Sequence, residues 1–221
     1  MLRSPVGLSY AVVSLLGAII VSDVLVLIAA FHVRGMTSGM SADRLDPAVF
    51  EDLNLAVAEG LSLLLYLATG ALFIIWFHRV RKNAGVFGPD LHRGGPGWAI
   101  GSWFIPIANI WLPRGVAADT WRASRRDPYG DGKAEPLTVL NLWWLFFVLT
   151  QIADFVAGEA YDDADTAEEF ATAAGVVMGS AVLDIVAAVL AALFVRHLTA
   201  MQHAKALRGP AVGHSVIPPG A

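Results

Sequence analysis

The stretch "GWAIGSWFIPIANIWLPRG", residues 97–115, decides the topology of this chain. It is apolar enough to enter a membrane, yet Pro106 interrupts it and Pro113 closes it. A helix over residues 98–112 would be about 22 Å long, which is shorter than the hydrocarbon core of about 30 Å. A proline near its middle would also break or kink that helix. We therefore predict that this segment lies on or dips into one leaflet of a bilayer.

The composition is typical of a membrane protein, because 56% of the 221 residues are hydrophobic and only 15% are charged. Four stretches are long enough to span a bilayer, and they cover residues 8–32, 54–77, 137–157 and 170–196. The first is expected to be a retained anchor, because its apolar run exceeds the roughly 7–15 residues of a cleaved signal. We predict an all-α integral membrane protein, a four-transmembrane-helix bundle in one domain over residues 1–208. An interfacial or re-entrant segment over 98–126 would contain a short amphipathic helix, and the Gly- and Pro-containing residues 209–221 would form a disordered tail.

The distribution of charge predicts the orientation. If residues 98–112 do not cross, thirteen of the 15 lysines and arginines fall on one side, and only Arg34 and Arg44 fall on the other. Because basic loops stay in the cytoplasm, both termini are predicted to be cytoplasmic, in a bacterial cell membrane. All seven tryptophans are expected at or near the inner boundary, where amphipathic rings prefer to lie.

The run "WAIGSWFIPIANIWLPRGVAADTWRAS", Trp98 to Ser124, resembles the signature of a bacterial membrane-protein family called domain of unknown function 4328. In that signature a tryptophan, a proline with an asparagine three residues on, and a second proline precede a basic helix that ends in Trp-Arg-Ala-Ser. The resemblance extends over the four spans, roughly residues 8–205. It implies the four-span arrangement, but the family has no established activity to carry over.

The same segment is predicted to act at the membrane surface. Pro113 is well placed to open a helix, and Arg122, Arg125 and Arg126 follow close to Trp121. Such a basic amphipathic stretch suits anionic lipid headgroups of the inner leaflet. Ser102 and Asn109 could bond the backbone groups that Pro106 leaves open. The interfacial motif consists of Trp98, Trp103, Pro106, Asn109, Trp111, Pro113, Trp121 and Arg122.

Each predicted span carries one carboxylic acid, and none contains an internal lysine or arginine to pair with it. The candidate intramembrane polar site consists of Asp23, Glu59, Tyr66, Asp154 and Asp184. Ionised acids inside a bilayer are costly, so they normally face a bundle interior or water. Alternatively, Glu59 and Asp154 are interfacial and solvated, while the other two acids are protonated and hydrogen-bonded to neighbouring helices.

These patterns favour a non-catalytic membrane scaffold or partner-binding protein. The alternative is a small-cation or proton conduit that uses the intramembrane carboxyls, and a weaker one is a lipid-acting membrane enzyme. Convergence of the acids on a water-accessible cavity would favour the conduit. The expected partners are the bilayer and a membrane protein or second copy. Small residues recur every four positions over 167–179 and should pack against another helix, within this chain in preference to a homodimer. Known enzyme motifs, metal-ligand pairs, cofactor sites and nucleic-acid-binding features are not found, and there is no cysteine.

Overall fold

The computed structural model describes residues 2–37, 53–129 and 135–208, and every element in them is helical. The α-helices are α1 (Val6–Thr37), α2 (Leu53–Phe87), α3 (Trp98–Gly101), α4 (Leu112–Ser124), α5 (Thr138–Asp162) and α6 (Ala167–Leu207). Short 3-10 turns cover Pro89–Leu91 and Ala108–Ile110. Four of the helices, α1, α2, α5 and α6, are long and apolar enough to cross a membrane, which confirms the predicted fold class. The predicted tail, residues 209–221, lies outside the described residues.

Helices α2 and α6 continue well beyond the apolar stretches that predicted them. The predicted spans end at residues 77 and 196, whereas the helices end at Phe87 and Leu207. One face of each extension is buried and carries polar residues, and there the Asn83 amide donates to Gln202 Oε1 over 3.1 Å. Hydropathy therefore located the spans but underestimated the length of these two helices.

The two ends of the bundle differ in charge. At one end of the bundle, the Arg3 backbone exchanges hydrogen bonds with the Asn83 side chain near the end of α2, and α6 also ends there. We call this end the basic end. At the other, the acidic end, α5 and α6 are joined by a short turn that contains Asp163 and Asp165, and further acids lie in the helix turns beside it. There the Arg34 guanidinium donates to the Ala171 carbonyl over 2.8 Å. Hydrogen bonds of Asn83 with Arg3 and Gln202 at one end, and of Arg34 with Ala171 at the other, thus fix the relative heights of α1, α2 and α6.

The stripe of small residues on α6 packs against α1 within the same chain. A Cβ at Gly175 would lie 2.6 Å from Arg34 Nη1, so the guanidinium occupies space that a side chain would otherwise fill. Gly179, further along the stripe, is exposed. The stripe therefore serves the internal α1–α6 contact at Gly175, and its use between two copies stays a prediction.

An aromatic layer fills the bundle on the side of the basic end. It consists of Phe73, Trp76, Phe77, Trp103, Trp121, Trp143, Trp144, Phe147 and Phe194, whose rings contact one another. Trp76, Trp121, Trp143 and Trp144 are buried in the bundle and do not face lipid, while the expected height of the tryptophans at the inner boundary stays a prediction. Ring-to-ring packing stabilises them inside, and the Trp76 indole N–H has a buried acceptor, Thr199 Oγ1 at 3.0 Å.

Residues 98–112 do not form a spanning helix, as predicted. The chain reverses after Pro106 in a γ-turn at Ile107, where φ is 65° and the Ala108 N–H donates to the Pro106 carbonyl over 2.7 Å. Ile107 is the non-glycine residue with positive φ among the described residues. Its side chain and that of Phe104 are more than 70% exposed, so the tip of this hairpin is apolar.

Helix α4 buries one face against the bundle, and its predicted contact with lipid headgroups stays a prediction. Pro113 lies in its first turn, as expected, but Trp121 is 1% exposed and stacks on Phe194. Arg122 pairs with the buried Asp119 over 3.1 Å, while its own side chain remains 42% exposed. The sequence did not show that α2 and α6 supply an apolar surface that covers one face of this helix.

Candidate functional site

The predicted intramembrane polar residues come from different helices and largely converge. Asp23 lies on α1, Tyr66 on α2, Asp154 on α5 and Asp184 on α6. We call these four residues the carboxyl cluster. The side chain of Glu59 lies outside the described residues, although its backbone belongs to α2.

Asp23 is the most deeply buried member of the cluster, with 5% of its surface exposed. Its Oδ1 accepts a hydrogen bond from the Tyr66 hydroxyl over 3.3 Å. Its Oδ2 is buried and has no hydrogen-bond partner among the described residues. Since a buried carboxyl oxygen without a partner is costly, this atom has unused capacity to bind a proton, a water molecule or a cation.

Asp154 and Asp184 lie against each other across the α5–α6 interface. The Asp154 carboxyl contacts the Asp184 carboxyl and the Ser180 hydroxyl, and Asp184 also contacts Thr150. The two hydroxyls donate to carbonyls of their own helices, those of Val177 and Phe147, each over 3.0 Å. Each hydroxyl thus has a backbone carbonyl and an acid within reach.

Burial increases across the cluster from the surface of the bundle to its interior. Asp154 is exposed, Asp184 is half-buried and Asp23 is buried. None of the ion pairs among the described residues involves these acids. Helix α5 continues eight residues, or about 12 Å, beyond Asp154 to Asp162. The acids thus form a stepwise polar route from the surface of the bundle to its interior.

The aromatic layer lies between the carboxyl cluster and the basic end. Phe73 follows Tyr66 by seven residues, or about 10 Å along α2, and Phe147 lies one turn from Thr150 on α5. On the side of the cluster that faces the basic end, Phe73 contacts Trp143 with ring centroids 5.4 Å apart. The cluster therefore has polar neighbours on one side and packed rings on the other.

The residues of the predicted interfacial motif separate into two groups. Trp98, Pro106, Asn109 and Trp111 are exposed, whereas Trp103, Pro113, Trp121 and Arg122 are wholly or partly covered by the bundle. The predicted role of Ser102 as a hydrogen-bonding support for Pro106 is wrong. Ser102 Oγ is buried without a hydrogen-bond partner among the described residues, because the break is accommodated by backbone turns.

A polar network at the basic end was not predicted from the sequence. Gln202 Nε2 donates to the Val80 carbonyl over 2.8 Å and to Ser124 Oγ over 2.9 Å, which ties α6 to α2 and α4. Lys205 Nζ donates to the carbonyls of Ala123 and Arg125, at the end of α4. The signal in the sequence was the spacing of Thr199 and Gln202, three apart on one helical face beyond the apolar run.

The family model described as Domain of unknown function (DUF4328) matches residues 41–200. The chain belongs to this family. The resemblance noted over Trp98–Ser124 is thereby confirmed, but the DUF4328 match begins after α1 and is shorter than the expected range of 8–205. Of the carboxyl cluster it contains Tyr66, Asp154 and Asp184, and it leaves Asp23 outside. No curated protein and no solved structure matches the chain.

Proposed function

We propose that the protein is a proton or small-cation conduit, with protons as the primary species that it carries. The convergence of Asp23, Asp154 and Asp184 from three membrane-length helices supports this proposal most directly. Acids within membrane spans are characteristic of proton relays and ion pathways. The scaffold and partner-binding function predicted from the sequence is therefore our second proposal.

The contact between Asp154 and Asp184 favours a proton. Two carboxylates only accept hydrogen bonds and repel each other, so the contact is favourable when at least one of them is protonated or a cation lies between them. The neighbouring hydroxyls of Thr150 and Ser180 are already donating to backbone carbonyls. A proton shared by the carboxyls satisfies this arrangement without another donor.

Transfer through the whole bundle also requires the aromatic layer to rearrange. Phe194 is fully buried there, and its ring stacks on Trp143 with centroids 4.8 Å apart. A continuous chain of water cannot pass through rings in such contact. The proposed conduit is therefore gated, with protons exchanging first at the carboxyl cluster and crossing only when this layer opens.

Replacement of Asp184 by asparagine is expected to abolish flux through the reconstituted full chain. Asparagine keeps the volume and hydrogen-bonding capacity of the side chain but cannot exchange a proton. Proton flux would be measured with a pH-sensitive dye in vesicles under a pH gradient, with parallel sodium and potassium gradients. Asp162→Asn, on the exposed end of α5, is the matched control and should keep the wild-type rate.

Two results would contradict the conduit proposal. The first is wild-type flux no faster than that of empty vesicles for protons and for both cations. The second is equal flux in the wild type and in Asp184→Asn, since transport would then bypass the carboxyl cluster.

We propose that the chain lies in a bacterial cell membrane with both termini in the cytoplasm. The charge difference between the two ends of the bundle supports this orientation, because basic segments remain on the cytoplasmic side. Arg3, Arg126 and Arg208 belong to the basic end, whereas Asp163 and Asp165 belong to the acidic end.

Cysteine labelling tests the orientation directly, because the natural chain contains no cysteine. Asp165→Cys, at the acidic end, should react with a membrane-impermeant maleimide in intact cells. Tyr129→Cys, at the basic end and 60% exposed in the structure, should react only after the membrane is opened. Labelling of Tyr129→Cys from outside would reverse the proposed orientation.

The second proposal is a non-catalytic scaffold or partner-binding protein, and the exposure of Asp154 favours it. A carboxyl on the outer surface of a span is costly in contact with lipid, so a membrane-protein partner or a second copy that covers it would stabilise the assembly. Purification in a mild detergent followed by native mass spectrometry measures whether a partner or a second copy stays bound. A stoichiometric partner or dimer supports the proposal, whereas a single chain free of protein partners opposes it.

A further inference from the structure

A cavity of about 310 Å³ lies at the basic end, between the end of α2, the following loop and α4. It is independent of the carboxyl cluster. Its lining residues include Arg81, His92, Arg93, Trp98, Trp111 and Asp119. These residues combine buried positive charge with exposed aromatic rings in one concave site.

Arg81 is the unusual member of the cavity, because its side chain is charged and the residue is only 4% exposed. Its Nη2 donates to the Gly94 carbonyl, and none of the ion pairs among the described residues includes it. A buried cation is stable only when an opposite charge or several acceptors compensate for its lost hydration. One backbone carbonyl supplies a small part of that compensation.

Asp119 is the carboxylate that lines the cavity, and two other arginines already share it. Its oxygens lie 3.3 Å from Arg93 Nη2 and 3.1 Å from Arg122 Nη1. Three guanidinium groups therefore surround one carboxylate. The excess of positive charge predicts an anionic ligand.

His92 adds hydrogen-bonding capacity to the same cavity. Both of its ring nitrogens are buried without a partner in hydrogen-bonding geometry among the described residues. Burial lowers the pKa of His92, with the nearby Ala84 carbonyl opposing that shift, so the ring is neutral at pH 7 and has one N–H donor that Ala84 meets only in poor geometry. An anion in the cavity would accept that bond.

We propose that this cavity binds the phosphate group of an anionic membrane phospholipid. Arg81 and Arg93 supply the charge, because guanidinium groups match the geometry of phosphate oxygens. The rim favours a lipid over a soluble phosphate: Trp98 and Trp111 are about half exposed beside the apolar hairpin tip that contains Phe104. Amphipathic rings in such positions lie at the level of lipid headgroups.

A second basic cavity at the same end, of about 450 Å³, provides the control. Arg3, His78, Arg79 and Lys82 contribute to its lining. Lys82 is exposed and follows Arg81 directly in the chain, so Lys82→Gln removes an equal charge at almost the same height. A ligand held by general attraction to this end would be weakened by either substitution.

The test uses the full chain, purified without lipid in a neutral detergent and titrated with phosphatidylglycerol under native mass spectrometry. Arg81→Gln should weaken binding of the first lipid molecule by about tenfold or more, as expected for the loss of a charged hydrogen bond. Gly115→Leu should also weaken binding of the first lipid molecule, because its side chain would fill the cavity without changing any charge. Gly115 lines the cavity, and a Cβ there would meet no atom within 4 Å, so this variant should fold even if Arg81→Gln does not.

The control variant and two other ligands complete the test. Lys82→Gln should bind within about twofold of the wild type, and zwitterionic phosphatidylcholine should bind more weakly than phosphatidylglycerol. Equal losses in Lys82→Gln and Arg81→Gln, or wild-type binding by Gly115→Leu, would overturn the assignment to this cavity. Displacement of the lipid by inorganic phosphate at a similar concentration would show that the ligand is not a lipid and would indicate a soluble phosphate compound.

Discussion

Replacement of Phe194 by alanine is expected to destabilise the folded bundle by about 3 kcal/mol. Phe194 is fully buried, and its ring lies between those of Trp143 and Trp121, with centroid distances of 4.8 and 5.9 Å. A third ring, that of Trp76, meets it edge-on at 5.8 Å. Truncation removes all of these contacts and leaves a cavity that three rigid indoles cannot fill.

The expected loss lies at the low end of the range for phenylalanine in soluble proteins. Unfolded helices in a bilayer or micelle keep their side chains in an apolar medium, so the variant loses packing but little transfer free energy. Unfolding by dodecyl sulfate in mixed micelles, followed by circular dichroism, would measure the change. Phe155→Ala is the control, because Phe155 is 68% exposed on α5 and should shift the midpoint little. Equal shifts in the two variants would show that the aromatic layer does not hold the bundle together.

Replacement of Gln202 by alanine is expected to destabilise the protein by about 2–3 kcal/mol. Gln202 is 1% exposed, and its amide group contacts α2 at Val80 and Asn83 and α4 at Ser124. Its removal leaves the Asn83 amide and the Ser124 hydroxyl with fewer partners in a buried site. The loss of a hydrogen bond to a buried group costs more than the loss of one to a solvated group, because water does not replace the missing partner at a buried site.

The same denaturation assay measures this effect, with Gln151→Ala as the control. Gln151 is exposed on α5, so its loss should change stability by less than about 0.5 kcal/mol. Protease digestion between α2 and α4, within residues 88–97, should also become faster in Gln202→Ala. Unchanged stability and unchanged digestion would indicate that the network at the basic end does not fasten α4 to the bundle.

The interfacial segment illustrates where prediction from the sequence succeeded and where it stopped. Length and Pro106 were sufficient to exclude a spanning helix over 98–112, because both limits are local properties of the backbone. They did not reveal that α4 is covered by the bundle. Whether Trp121 faces lipid or Phe194 depends on helices more than 70 residues away in the chain, and no local pattern contains that information.

The candidate sites divide in the same way. Asp23, Asp154 and Asp184 were recognisable one by one, since an acid without a basic neighbour stands out in an apolar run. Their convergence depends on the relative heights of α1, α5 and α6. Arg81 was one basic residue among several until the fold buried it beside Asp119.

The sequence by itself determined the number of spans, the break at Pro106 and the family, since these depend on hydropathy, backbone sterics and a contiguous motif. Only the tertiary structure decided which tryptophans are buried, how Gln202 ties α6 to α2 and α4, and which acids meet. The physical reason is the range of the interactions. Hydropathy and helix geometry act over neighbouring residues, whereas burial and hydrogen bonding between helices depend on side chains brought together by packing.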